Sequence, residues 1–332
     1  MISVIVVNWN RCALLRACLQ SLAAQRGVAF ETIVVDNGSH DHSAEMAERE
    51  FDVRVIRNPE NRGFCAANNQ GIAAARGDLI ALLNNDAEAE PGWLASLAVA
   101  FTRAPDIGMA ASKILDYEDP SRIDKAGHVI WPDGQNRGRG TGAVDAGQYD
   151  REEEVLWPDG CAAMYRAAML AEIGGFDEDF FAYGDDAELG LRARIAGWRC
   201  LYVPSAVVRH HRGSTLGRGS SKRMALIERN RVLLACKLFP GSLLWLNPIY
   251  FAVRLAAGAL AAGRNSGDTA AFRGVKGKLA LAAGLIAGDL DALRLLPRIW
   301  RKRRDVRSIQ RLTPRQVREL ILRYRAPLRE LA

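Results

Sequence analysis

The 332-residue chain reads as an α/β protein with a parallel sheet at its start and a separate, basic helical region at its end. Three observations predict this. Short apolar runs alternate with helical spacing four times within about the first 85 residues, the pattern of successive βαβ crossovers. Three of those runs end on Asn or Asp, and in an open α/β sheet ligands lie beyond the carboxyl ends of the strands. From Pro240 onward the alternation stops, and interrupted apolar stretches lead into a dense run of Lys and Arg.

Residues 2–7 form the first apolar run, which ends on Asn8. Leu14, Leu15, Cys18, Leu19 and Leu22 recur at helical spacing and predict a crossover helix. Residues 31–35 make the second strand, ending on Asp36, with Asn37-Gly38-Ser39 behind it. A carboxylate there suits a ribose hydroxyl or a base N–H. The same four residues also suit a plain turn, with Gly38 at positive φ and Ser39 as a helix cap. Residues 53–56 are the third strand. Residues 61–69 then open a helix whose polar side chains, Asn68 among them, face the same sheet edge. Arg62 could meet a phosphate, though an exposed Arg is usually just solvated.

The fourth strand, residues 78–83, stops on Asn84-Asn85-Asp86. An Asp placed there by a rigid strand suits a divalent cation held against a phosphate. A turn capping the helix entered at Pro91 is the alternative. Residues 112–156 lack periodicity and are rich in Gly, Asp and Arg, so they read as a loop-rich insertion. Trp157-Pro158-Asp159-Gly160 follows, with Trp157 open to core packing or to stacking on a sugar. Acids clustered between Asp177 and Glu188 are interleaved with aromatics, which desolvate a carboxylate and raise its pKa, as a general base requires. Asp185 or Asp186, with Glu188, would also make a partial capping box. His210 and His211 end an apolar strand, a place for a metal ligand or a diphosphate contact.

Composition narrows the class. The chain is 49% hydrophobic and 25% charged, enough to bury a core. Its six cysteines are scattered without a CxxC pair, which argues against a zinc site and for a reducing compartment. Residues 2–7 are too short and lack the basic flank of a signal peptide. Every 18-residue stretch holds a charge or a breaker, so no membrane span is expected. The net charge of +7 is unevenly spread: residues 294–332 carry 13 Lys/Arg against 3 Asp/Glu, leaving −3 on the first 293. Such a tail meets an anionic surface, either phospholipid or nucleic acid.

Four stretches, Val4-Ile5-Val6-Val7-Asn8-Trp9-Asn10, Val35-Asp36-Asn37-Gly38-Ser39, Asn61-Arg62-Gly63-Phe64 and Leu83-Asn84-Asn85-Asp86, resemble in order the motifs of family 2 glycosyltransferases. Their rhamnosyltransferase-like branch is the nearest. The resemblance covers residues 2–240 and implies a GT-A fold, a Rossmann-like mixed sheet flanked by helices. It divides the chain into a glycosyltransferase domain (1–239) and an amphipathic, basic, membrane-associating helical region (240–332). The first has a nucleotide-sugar half (1–111), the insertion (112–156) and an acceptor half (157–239).

On this resemblance Asn8, Asp36, Asn37, Arg62, Asn68, Asn84 and Asn85 bind the nucleoside-diphosphate sugar. The family's Asp-x-Asp stands here as Asn84-Asn85-Asp86, so Asp86 keeps the metal role and Asn84 turns to the ribose. Trp157, Asp159 and Gly160 line the sugar and acceptor pocket. Asp186 falls on the catalytic base, with Asp185 beside it. The family's His-x-x-Gly-x-(Ser/Thr) pattern fits His210, Gly213 and Thr215, which makes His210 the second ligand of Mg²⁺ or Mn²⁺ and His211 its rival.

The expectation is therefore an inverting transfer from a dTDP- or UDP-linked sugar to a saccharide or polyprenyl-linked acceptor in cell-envelope polysaccharide synthesis. The enzyme would lie on the cytoplasmic face of an anionic membrane, with no nucleic-acid partner. A nucleotidyltransferase would carry a glycine-rich signature after the first strand, and Asn8-Trp9-Asn10-Arg11 has none. A nucleic-acid-binding protein working through the basic tail is the other alternative. The apolar segments beside that tail fit a membrane better than a duplex.

Overall fold

The computed structural model describes residues 1–211, 220–263 and 274–331. They fall into two compact units, one of residues 1–128 and 138–212, the other of residues 129–137 and 213–332. The helix before Pro240 falls in the second unit, where it packs on a C-terminal helix.

In the first unit, β1 (Ile2–Asn8), α1 (Cys12–Ala23), β2 (Phe30–Asp36), α2 (Ser43–Glu50), β3 (Arg54–Arg57), α3 (Gly63–Ala74) and β4 (Leu79–Leu83) alternate as the sequence predicts. Val4, Val6, Ile33, Val34, Val35 and Ala81 are wholly buried, as a sheet covered on both faces requires. Strand β1 pairs in parallel with β2 and with β4. In that register Asn8 lies opposite Asp36, so the polar residues end in one row.

Next come β5 (Ala87–Ala89), α4 (Trp93–Arg103) and the long buried strand β6 (Ile107–Asp116). The expected loop-rich insertion is loop and turn over most of its length, and it also carries four three-residue strands after β6: β7 (Ile123–Lys125), β8 (His128–Ile130), β9 (Asn136–Gly138) and β10 (Glu153–Val155). Strands of three residues are too short to show a period in sequence; cross-strand pairing holds them, β7 on β6 and β10 on β12. Then follow β11 (Ala162–Arg166), α5 (Ala167–Ile173), α6 (Asp185–Ile195) and β12 (Arg199–His210). The main sheet runs β10-β12-β6-β11-β4-β1-β2-β3. It is mixed, because β11 enters antiparallel between β4 and β6.

The second unit contains α7 (Ser221–Leu238), α8 (Gly241–Gly263), α9 (Gly274–Ile309), α10 (Pro314–Arg323) and α11 (Leu328–Leu331). Helix α9 lies on α7 in the same direction, with Gly284 against Ser221 and Gly288 against Ala225. A Cβ at Gly288 would come 2.5 Å from the Ala225 carbonyl oxygen. Helix α10 is started by its own sequence: Thr313 and Gln316 form a capping box around Pro314. In α8 the helix continues through Asn247-Pro248. Its residues Gly241–Leu260 are thereby long and apolar enough to cross a membrane by length and composition. The sequence criterion treated that Pro as a break and expected no such segment.

Candidate functional site

The described residues of the site lie in the first unit, and Asn8, Asp36, Asn84 and Asn85 stand at the carboxyl ends of β1, β2 and β4. Asn8 donates from Nδ2 to Asp36 Oδ1 (3.0 Å) and accepts at Oδ1 from Asn85 Nδ2 (2.7 Å). The Ser39 backbone N–H donates to Asp36 Oδ2 (3.1 Å). Asn8, Asp36 and Asn85 are thus locked as one polar row by the register of β1 with its neighbours. Asn84 follows β4 directly, its N–H donating to the Cys161 carbonyl (2.8 Å).

Two residues expected on the donor side have other occupations. Asn37 spends its amide on the turn before α3, donating to Asn61 Oδ1 (2.9 Å) and accepting from the Arg62 N–H (3.1 Å). Asn68 is buried and donates back to the Phe64 carbonyl (2.9 Å) of its own helix. The first amides of α3 do not face an open edge either. Phe64 N–H and Cys65 N–H donate to the Phe181 carbonyl, at 2.8 and 3.3 Å. Gly63 makes this possible, since at φ 84° its Cβ position is filled by the Phe181 ring. Arg62 is exposed.

Asp86 and His210, 124 residues apart, are brought together by pairing. His210 lies opposite Ala87 across β12 and β5, and its Nε2 stands 3.4 Å from Asp86 Oδ1. The other ring nitrogen, Nδ1, is 2.7 Å from Asp124 Oδ2, a fully buried carboxylate on β7. Burial opposes charge on the imidazole, but Cys161 and the carboxylates of Asp124 and Asp86 outweigh it and raise its pKa well above the usual value. A ring nitrogen and a carboxylate oxygen 3.4 Å apart, with the far nitrogen fixed by a second carboxylate, suit two ligands of one divalent cation. His211 goes elsewhere: its ring stacks on Tyr117 at 3.5 Å and its Nε2 lies 3.6 Å from Glu88. Gly213 and Thr215, the rest of the expected pattern, lie outside the described residues.

The acidic pair opens α6, and neither residue caps it. Gly184 is the N-cap, without a side-chain bond, while Glu188 is buried against Arg192 at 2.7 Å. Phe181, Tyr183 and Gly184 all take positive φ, at 62°, 69° and 74°, so a strained turn aims the pair. Asp185 is the more buried of the two. Burial and then Asp186 push its carboxyl well above the ordinary range. Asp186 keeps 13% of its side chain exposed. Burial raises its pKa too, against the opposing charges of His128 and Lys125.

Two further residues complete this corner, and sequence reasoning missed both. His128 Nε2 lies between Asp159 Oδ2 (2.8 Å) and Asp186 Oδ2 (3.5 Å). Lys125 Nζ meets Asp159 Oδ2 at 2.7 Å. Burial pushes Asp159 up, yet Lys125 and His128 outweigh it and hold the carboxyl well below its usual range. The Gly160 N–H points to Asp186 Oδ2 (3.3 Å). His128, Asp159 and Asp186 are near enough to share a metal ion, their atoms lying within 4.8 Å of one another. The available signal was Asp124, Lys125 and His128 set among Ile, Ala and Val in a stretch otherwise read as loop.

Trp157 does not line a pocket. It is wholly buried, stacks beside His128 with centroids 5.9 Å apart, and packs against Gly190. Gly190 has no Cβ to hold the indole off, so the indole enters the core beneath α6.

Residues 3–174 match the profile described as Glycosyl transferase family 2, and residues 148–263 match that of Glycosyl transferase family group 2. An N-acetylglucosaminyl-diphospho-decaprenol L-rhamnosyltransferase of Mycobacterium tuberculosis is 27% identical over 260 residues, 70% of this chain and 82% of that protein. A pre-mycofactocin glycosyltransferase of the same organism is 31% identical over 218 residues, 63% of this chain and 42% of its own. Among solved structures, GalNAc-T7 with UDP, GalNAc and Mn²⁺ superposes with a TM-score of 0.61 at 17% identity, covering 77% of this chain and 50% of that one. The mannosyltransferase PcManGT of Pyrobaculum calidifontis, in complex with GDP-Man and Mn²⁺, gives 0.52 at 19% identity, covering 88% and 86%.

Proposed function

Given that the chain belongs to glycosyl transferase family 2 and has the GT-A fold, we propose that it is an inverting, metal-dependent transferase. It moves a sugar, with rhamnose the first candidate, from a dTDP- or UDP-linked donor to a hydroxyl of a polyprenyl-linked saccharide. The observation that carries this reading is a buried, raised carboxylate, Asp186, partly open to solvent in the same unit as the Asp86–His210 pair. The similarity to a decaprenol-linked rhamnosyltransferase supports the acceptor class. The apolar helix α8 and the basic tail support membrane association on the cytoplasmic side.

Asp36, Asn8 and Asn85 present the row that receives the nucleoside, with Asn84 turned to the ribose. Asp86 and His210 would hold Mg²⁺ or Mn²⁺, whose chemistry is to neutralise the charge growing on the departing diphosphate. Asp186 accepts the proton of the acceptor hydroxyl as that oxygen attacks the anomeric carbon. The C–O bond to the diphosphate breaks as the new glycosidic bond forms on the opposite face. One displacement inverts the configuration and needs no covalent carboxylate. Burial and then Asp186 raise the Asp185 pKa well above the ordinary range, which disfavours a second negative charge beside the base. Asp159 is already neutralised by Lys125 and His128, so that corner serves the base and not a cation.

The test is transfer by the purified chain, with Mg²⁺ or Mn²⁺, from UDP-, GDP- and dTDP-sugars to an N-acetylglucosaminyl-diphospho-polyprenol. The product's anomeric configuration is read by NMR. Retention would overturn the single displacement, and no transfer from any donor would overturn the reading itself.

A further inference from the structure

Helix α8 is apolar enough to span a bilayer, yet one of its sides is fastened to its own unit. Asn247 Nδ2 donates to the Asp133 carbonyl (3.0 Å), and Trp131 Nε1 donates to the Tyr250 carbonyl (3.0 Å). Arg254, the only formally charged side chain among residues 241–260, meets Asp133 Oδ2 at 2.5 Å and Glu228 Oε2 at 3.1 Å. Asp133 and Glu228 are at most 1% exposed. At 3.6 residues per turn, Asn247 and Arg254 fall within about 20° of each other on the helix.

The other side is bare. Trp245 is 87% exposed, Ile249 61%, Val253 40% and Leu260 70%. These four lie within about 80° of one another, centred about 145° from the Asn247–Arg254 side. Helix α9 carries a second exposed stripe in Leu279, Ile286, Leu290, Leu293 and Trp300. Arg301, Arg304 and Arg307 prolong that stripe toward the C-terminus and are also exposed. Apolar stripes with tryptophan at an end and arginine beyond are the chemistry of an anionic lipid surface, not of open solvent.

We propose that α8 is a monotopic membrane helix, lying in the plane of an anionic bilayer with its Trp245–Ile249–Val253 side immersed and its Asn247–Arg254 side held on the Asp133 turn. This rests on the membrane-associated reading above and decides its mode. Crossing the bilayer would carry Arg254 into hydrocarbon and take from Asp133 and Glu228 a guanidinium that binds both. In the plane, every one of these bonds is kept.

The experiment uses the full chain with Cys12 and Cys236, the two half-exposed cysteines, replaced by Ser. Trp245→Cys, Ile249→Cys, Val253→Cys and Leu260→Cys each carry an environment-sensitive fluorophore. They are read on vesicles of equal parts phosphatidylcholine and phosphatidylglycerol containing quenchers at graded depths. All four positions are expected at one shallow depth. A depth that changes steadily from 245 to 260 would establish a span and overturn the proposal. Labels shielded without vesicles, in a dimer, would assign the stripe to a second copy and overturn it equally. Trp245→Asp with Ile249→Asp should weaken vesicle binding by at least about tenfold while donor hydrolysis is unchanged; unaltered binding would also overturn it. Failure of the unmodified chain to hydrolyse any donor would defeat the glycosyl-transfer reading instead, and the depths would stand.

Discussion

His210 and His128 each stand between two carboxylates in the same unit, and what accompanies them differs. Beside His128, Lys125 brings a fixed cation onto Asp159, so the corner closes electrically on itself and only Asp186 keeps an opening. Beside His210, burial opposes charge, but Cys161 and the carboxylates of Asp124 and Asp86 outweigh it and raise the imidazole's pKa well above normal. A metal ion would replace that proton. On the proposed reading, the same residue types offer a place for a base in one corner and a place for a cation in the other. The choice turns on one lysine. β7 serves both, Asp124 reaching His210 and Lys125 reaching Asp159.

Breaking the cation corner should have the largest effect. Asp86→Ala is expected to lower transfer about 10³-fold and weaken metal-dependent donor binding, and excess EDTA should do the same to the unaltered chain until Mg²⁺ or Mn²⁺ is restored. Full activity in EDTA would remove the distinction between the corners. Breaking the base corner should cost transfer and spare binding: Asp186→Asn should lose about 10²–10⁴-fold in turnover with donor affinity nearly unchanged. Should that variant turn over normally, Asp185 becomes the base to examine.

Smaller changes sharpen the contrast. Asp124→Asn loosens His210 without touching a ligand atom of Asp86, so metal affinity measured by titration calorimetry should fall about 10–100-fold. Its counterpart is His128→Asn, read as a pH profile. Asp186 is faced by His128, Lys125, Asp159, Asp185 and Tyr165, and its pKa is raised by burial against His128 and Lys125. A base works deprotonated, so transfer falls as the pH drops through that raised value. Without His128 the acid limb should move to higher pH, slowing transfer about tenfold at the acid end and little at the alkaline end. An unmoved limb would make His128 a packing residue. Smallest of all, Trp157→Phe should leave the acceptor KM unchanged and cost about 1–3 kcal/mol of stability, as a core position would. A tenfold rise in KM would return Trp157 to the pocket.

Much of this was legible along the chain because it is local. Apolar runs with period two or continuous burial, helical spacing in 14–22 and polar strand ends are properties of neighbouring residues. They placed β1 to β4, and a parallel register then sets Asn8, Asp36 and Asn85 in one row. Motif order pointed to Asp86, Asp186 and His210. Burial between distant segments could not be read the same way. That Asn37 and Asn68 are occupied, that Trp157 is core, and that the helix at Gly63 is capped by Phe181 depend on partners set by folding. Lys125 and His128 stood in a segment too short-stranded to show a period, and only folding brings both of them to Asp159. Likewise the composition of α8 allows a membrane span, and only Asp133 and Glu228, brought to Arg254 from elsewhere in the chain, fasten it down. Local pattern is a free energy of neighbours; a site's charges are balanced through space, and that balance exists only once the chain has folded.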